Sequence, residues 1–139
     1  MTADEVRPLR HCVLRPEQPF GSTAYPGDDL ADSVHLGAFD ADRLVGIASV
    51  YREARPGRPG GWRLRGMAIA PEARGRGYGM ALVSASLEHV AASGPGELWC
   101  NARLSAIGFY RRAGFEVAGE EFNVPGIGPH VVMTRTVSS

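Results

Sequence analysis

The stretch Arg74-Gly75-Arg76-Gly77-Tyr78-Gly79 constrains the fold of this chain more than any other. Before it runs an apolar segment ending Met67-Ala68-Ile69-Ala70-Pro71. After it, Met80, Val83, Leu87, Val90 and Ala91 fall on one stripe of a helix. A strand must therefore give way to a helix within the glycine run. Gly75, Gly77 and Gly79 remove side chains there, so a ligand can approach the backbone. The first turn of a helix leaves its N–H groups without partners, and the positive end of the helix dipole makes them an anion site. Arg74 and Arg76 add charge suited to phosphate. There is no Gly-Lys-Ser/Thr of a nucleotide triphosphate loop, and the spacing is not the dinucleotide pattern Gly-x-Gly-x-x-Gly. A tight turn that binds nothing would use the same glycines. The strand, helix and arginines around them favour the anion.

The rest of the chain reads as one domain over residues 1–139. A first helix is expected over 8–15, with Pro8 in its first turn, Leu9, Val13 and Leu14 on one face, and Pro16 as its stop. Pro19, Gly21, Pro26 and Gly27 mark a loop. Ser33 to Phe39 and Leu44 to Tyr51 read as a hairpin around the polar turn 40–43, and 54–61 as a Pro- and Gly-rich connection. Trp62 to Ala70 is a third strand, with a bulge expected at Gly66. Gly94 and Pro95 end the long helix. A short buried strand over Glu97 to Asn101, a second helix over Ala102 to Ala113 closed by Gly114, and strands over Phe115 to Ala118 and His130 to Val137 follow. This order predicts a mixed α/β domain with a largely antiparallel, twisted sheet and helices on both faces.

Composition narrows the function. The formal net charge is zero and the apolar fraction is 44%, as in an ordinary globule with no general pull toward nucleic acid or membrane. The basic stretch 52–76 lacks the interleaved aromatics of a nucleic-acid platform and overlaps the glycine run. All fifteen basic residues are Arg, so no lysine amine can act as base or Schiff-base former. Cys12 and Cys100 make neither a metal pair nor a disulfide framework, and no metal is expected. No signal peptide or membrane-length apolar run is visible, so the cytoplasm is the expected location.

These motifs together resemble the GNAT N-acetyltransferase superfamily. Arg-x-x-Gly-x-Gly after the strand ending at Pro71 is similar to its acyl-CoA signature. The similarity continues through Asn101-Ala102, Ala106-x-x-Phe109-Tyr110-x-x-x-Gly114-Phe115 and Gly128-Pro129-His130-x-x-Met133. It covers most of the chain from about Arg7 and departs at the N-terminus, which is short for a full first strand. The resemblance implies a central strand pair that splays, with acetyl-CoA lying in the gap as co-substrate. Backbone groups of Met67, Ala68 and Ile69 would meet the pantetheine and acetyl carbonyl. The segment Arg74, Gly75, Arg76, Gly77, Tyr78, Gly79 and Met80 would hold the pyrophosphate, and Asn101 the pantetheine arm. Asn101 could equally cap the following helix.

Tyr110 matches the family's general acid. A phenol is protonated at neutral pH and can donate to a departing thiolate; the alternative is a core tyrosine. Many relatives carry a glutamate base on the strand before the signature, but here that strand bears Arg63 and Arg65. His130 is the candidate base because imidazole titrates near neutral pH, with a structural role the alternative. His35, Glu120 and Glu121 stand behind it. The implied reaction is direct attack of an amine on bound acetyl-CoA in a ternary complex. The acceptor is a small-molecule or peptide amine, and a homodimer is left open. A non-catalytic acyl-CoA-binding or regulatory module on the same fold is the other reading. Arg63 and Arg65 share one face of their strand. They form either a solvent-facing pair or a cationic patch beside the acceptor.

Overall fold

A capping box opens the chain. The Glu5 amide donates to Thr2 Oγ1 at 3.3 Å and the Thr2 amide donates to the Glu5 carboxylate at 2.9 Å. Helix α1 (Ala3–Leu9) therefore begins at Ala3 rather than at Pro8, and Pro8 lies inside it instead of in its first turn. Pro8 has no N–H to give the carbonyl of Asp4. Directly beyond it the chain widens into a π-helical turn over Arg10–Leu14. The computed structural model describes residues 1–58 and 60–137, and no strand precedes α1 within them.

Strands β1 (Val34–Asp40) and β2 (Arg43–Tyr51) form the expected antiparallel hairpin, turning at Ala41 with φ 53°. Strand β3 (Trp62–Ile69) pairs with the other edge of β2. Arg65 stands opposite Ser49 and Ala68 opposite Ile47, so β3 spends one more residue than β2 on the same distance. The extra residue is the expected bulge, and Gly66 with φ 67° takes its left-handed position. The bulge exchanges the faces of the strand. Before it, Trp62 and Leu64 enter the larger core; after it, Met67 and Ile69 pack there, while Ala68 joins Val6 and Ile47 under α1.

Helix α2 (Tyr78–Ala92) buries Leu82, Val83, Ser86 and Val90, and Gly94 follows it in the left-handed region. Strand β4 (Gly96–Arg103) runs two residues beyond the expected Asn101. Ala102 and Arg103 belong to this strand because pairing with β7 (Gly128–Val137) continues through Ala102 opposite Val131 and Arg103 opposite His130. The second helix is correspondingly short. A 3-10 turn over Leu104–Ala106 leads into α3 (Ile107–Arg112), and Gly114 closes it with φ 89°. Strand β5 (Glu116–Val117) pairs with β7, as does β6 (Phe122–Val124), which the sequence reading did not anticipate.

The result is a seven-stranded mixed sheet in the order β1-β2-β3-β4-β7-β5, with β6 also on β7. The only parallel neighbours in this order are β3 and β4. Helices α2 and α3 cover one face over Val50, Leu64, Leu98 and Met133, and α1 covers part of the other. No helix among the described residues is long and apolar enough to cross a membrane.

Candidate active site

Strands β3 and β4 pair only at Trp62 with Leu98 and Arg63 with Trp99. Beyond those residues they part. From Leu64 along β3 and Cys100 along β4, the facing backbone edges have no strand partner among the described residues. Unpaired edge N–H and C=O groups are a template for another extended chain. A cavity of about 270 Å³ opens in the gap, floored by β3 and β4 and walled by α3, the β6–β7 hairpin and the end of the π-helical turn.

The two faces of the sheet give this cavity different chemistry. Ala102 and Val131 are paired and both lie in the core beneath α2. Their neighbours Asn101, Arg103 and His130 therefore project to the α1 face. Arg63 and Arg65 share that face by the β3 register, so the sequence expectation of a common face holds. Tyr110 and Cys100 line the cavity from the α2–α3 side.

Tyr110 is 8% exposed, held edge-on between Phe109 and Phe115 with ring centroids 5.1 and 5.4 Å away. Burial, then the adjacent Cys100 thiol, pushes its phenol well above the ordinary value. Burial likewise pushes the Cys100 thiol up to about 12, so both groups are neutral at pH 7. His130 is 6% exposed and stacks on Phe122 at 5.9 Å. Its Nδ1 lies 2.8 Å from the Gly128 carbonyl oxygen. A carbonyl only accepts, so in the neutral ring Nδ1 carries the proton and Nε2 keeps a lone pair.

The other base candidates are elsewhere. His35 gives its Nε2 proton to the Asp28 carbonyl at 2.9 Å and takes the Ser49 hydroxyl at Nδ1, at 2.7 Å. Glu120 and Glu121 are exposed between β5 and β6, off the cavity. Asn101 sits in mid-strand at the gap and caps no helix; Ala106, not Asn101, occupies the position before α3.

At the glycine turn, Gly77 precedes α2 with φ 86° and no side chain caps the helix. The amides of Tyr78, Gly79 and Met80 are thus left without helical acceptors. A Cβ on Gly75 or Gly77 would meet nothing within 4 Å, so the space in front of these amides is open. Gly79 serves packing instead: its Cβ would stand 3.2 Å from the Phe109 ring. Arg74 donates to the Ile69 carbonyl at 3.3 Å, engaging a backbone group the resemblance assigned to the ligand, and Arg76 reaches Asp40 at 3.4 Å. Met67 lines the cavity; the Ala68 side chain turns away beneath α1.

Sequence reasoning missed a buried cluster behind the cavity. The Asp28 carboxylate accepts from Arg10 at 2.8 and 3.0 Å, from the Tyr51 hydroxyl at 2.5 Å and from the Tyr25 amide at 2.9 Å. Burial alone would raise this carboxyl, but the bonds from Arg10, Tyr51 and Tyr25 outweigh it and hold it at about 2. The Arg10 guanidinium lies 4.1 Å from the centre of the Tyr25 ring, and Arg65 lies 4.0 Å from it. Arg15, Tyr25 and Arg103 line the cavity as well and were not singled out. They come together from segments far apart in sequence, so no local spacing announces the grouping. Among the described residues, no group of three His, Cys, Asp or Glu side chains gathers as a metal site.

The acetyltransferase (GNAT) domain family model matches residues 27–137. The chain belongs to the GNAT acetyltransferases. It is 35% identical over 139 residues to YitI, an uncharacterized N-acetyltransferase of Bacillus subtilis (strain 168), covering 99% of this chain and 93% of that protein. A putative acetyltransferase of the same bacterium is 32% identical over 75% of this chain and 67% of its own length. Among solved structures, an aminoglycoside 6'-N-acetyltransferase complexed with coenzyme A shares this GNAT fold. Its TM-score is 0.76 at 17% identity, with 99% of this chain and 91% of that one covered. Escherichia coli ElaA also shares it, with a TM-score of 0.77 at 22% identity over 94% and 86% of the two chains.

Proposed function

We propose that this GNAT protein moves the acetyl group of acetyl-CoA to an amine by direct attack within a ternary complex. The carrying observation is the parted strand pair, whose open backbone edges meet a cavity with Tyr110 on one side and His130 on the other. The open glycine turn fits the other end of the co-substrate: a Cβ at Gly75 or Gly77 would fill the space a pyrophosphate takes. Acetyl-CoA supplies an acyl group activated as a thioester.

The residues then divide the work. Amides of Tyr78, Gly79 and Met80 hold the pyrophosphate, and the free edge from Met67 to Ile69 pairs with the pantetheine arm beside Asn101. His130 Nε2 takes a proton from the acceptor ammonium, freeing its lone pair to attack the thioester carbon. As the carbon–sulfur bond breaks, the Tyr110 hydroxyl donates to the leaving sulfur. A thiol is more acidic than a buried phenol, so Tyr110 stabilises the leaving thiolate as a hydrogen-bond donor, and its proton passes to sulfur only as a second proton, from solvent, replaces it. Holding both substrates in the gap removes most of the entropic barrier to their encounter.

Release of free thiol from acetyl-CoA, measured with and without a panel of amines, tests this reading. Amine-dependent release is expected, and Tyr110→Phe should lower kcat by about 100-fold with little change in calorimetric acetyl-CoA affinity. Tight acetyl-CoA binding with no amine-dependent release would make the protein a binding module instead. An unchanged kcat in Tyr110→Phe, with chemistry rate-limiting, would take that residue out of the mechanism.

A further inference from the structure

The cavity carries a charge pattern that the transfer chemistry does not use. Arg15, Arg63, Arg65 and Arg103 all line it, and no Asp or Glu does. One of the four has an acid, Arg63 with Glu53 at 3.0 Å, as do Arg10 with Asp28 at 2.8 Å and Arg55 with Glu97 at 2.9 Å outside the cavity. Arg65 is half-buried, yet among the described residues it has no carboxylate and no hydrogen-bond acceptor. Its guanidinium carbon lies over the Tyr25 ring, 4.0 Å from the ring centre, with that of Arg15 at 5.4 Å from the same ring. Arg15 and Arg103 likewise have no acid partner, holding only Gln18 Oε1 at 3.2 Å and the Leu14 carbonyl at 3.5 Å respectively.

A guanidinium removed from water costs free energy until an anion meets it. Here Tyr25, itself braced by the Arg10–Asp28 pair, packs against the Arg65 guanidinium while its donors stay unspent. Such a fixed fork suits carboxylate or phosphate. The arginines and His130 occupy the α1 face of the gap, opposite Tyr110 and Cys100, so they border the side from which an acceptor reaches the thioester. We infer that the acceptor is a small amine that also carries a carboxylate or a phosphate, bound through that anion by Arg65 with Arg15 and Arg103. The proposal rests on the transfer reading above. It excludes polycationic amines, which the three unpaired arginines Arg15, Arg65 and Arg103 repel. The same charges favour the neutral amine over the ammonium and so ease the proton loss that precedes attack. A cavity of about 270 Å³ holds a molecule of amino-acid size, not a folded surface.

The experiment compares matched amines that differ in the anion: phosphoethanolamine with ethanolamine, and β-alanine with β-alaninamide. Turnover of acetyl-CoA gives kcat/KM for each, and calorimetry on protein saturated with coenzyme A gives binding without turnover. The expected result is a preference for one anionic member by about 10- to 100-fold, the worth of a charge-assisted contact. The phosphate and carboxylate pairs tell the two anions apart. In Arg65→Ala that ratio should collapse toward one while acetyl-CoA affinity holds, and Arg65→Lys should restore part of it. Arg15→Ala, on a separate element, should lower the ratio less. Equal kcat/KM for anionic and neutral members, or an equal loss on both in Arg65→Ala, overturns the proposal and leaves the transferase reading standing. Anion-selective binding with no turnover of any amine keeps the anion site and removes the transferase. Neither binding preference nor turnover removes both.

Discussion

Asp28→Asn probes the buried cluster on which the cavity's α1 wall is mounted. The carboxylate accepts four hydrogen bonds within 3.0 Å, two of them from a guanidinium with no exposure to solvent. An asparagine keeps the shape but turns an N–H group toward Arg10 and leaves that charge buried without a counter-ion. Removing one partner of a buried pair typically costs about 3–5 kcal/mol, far above the median for a surface pair. The proton linkage gives the order of magnitude for the wild type. With the native carboxyl at about 2 and an unfolded value near 3.9, the difference is worth about 2.5 kcal/mol. The native value lies below the unfolded one, so this stability is fully present above about pH 4 and drains away as pH falls toward about 2. Urea unfolding followed by tryptophan fluorescence, at pH 7 and at steps down to pH 2.5, measures both quantities. Asp28→Asn should lose stability at pH 7 and show a shallower decline in acid than the wild type. A loss under about 1 kcal/mol at pH 7, or parallel acid profiles for the two proteins, would falsify the claim that this pair is tightly coupled.

Two further substitutions test the co-substrate grip and the base. Gly77→Asn places a side chain that tolerates left-handed backbone into the open space before α2, so the fold should persist while acetyl-CoA affinity falls at least ~10-fold; unaltered affinity by calorimetry would remove the turn from the site. His130→Gln should cut amine-dependent turnover by ~100-fold at constant acetyl-CoA affinity, and an unchanged rate would assign the proton to solvent.

The glycine turn, the α2 stripe and the bulge at Gly66 were legible because each is written locally: glycine where φ must be positive, apolar residues at helical spacing. The glycine turn opens the family resemblance, the run Ala106-x-x-Phe109-Tyr110 carries the Tyr110 candidate and imidazole chemistry the His130 one, and the structure brings both residues to one cavity. Errors arose where a distant partner decides. The sequence reading starts a helix at Ala102, and only β7, a hydrogen-bonded neighbour nearly thirty residues on, makes Ala102 and Arg103 strand. Strand β6 is three residues long and exists only as a hairpin partner of β7. The start of α1 is different, since Thr2-x-x-Glu5 is a capping box visible in the sequence and Pro8 drew attention away from it. Arg10 shows nothing locally of its bond to Asp28, eighteen residues on, so the brace behind Tyr25 was invisible.

The bulge at Gly66 has a consequence for how such a protein can change. Without the extra residue, odd positions along β3 would all face one way, and Arg63 and Arg65 would share a face with Met67 and Ile69. With it, Arg63 and Arg65 address one side of the sheet while Met67 and Ile69 address the other. The strand works as two reading frames joined at one glycine. Side chains of the first frame can be rewritten, by substitution or by descent, without disturbing the core that the second frame packs.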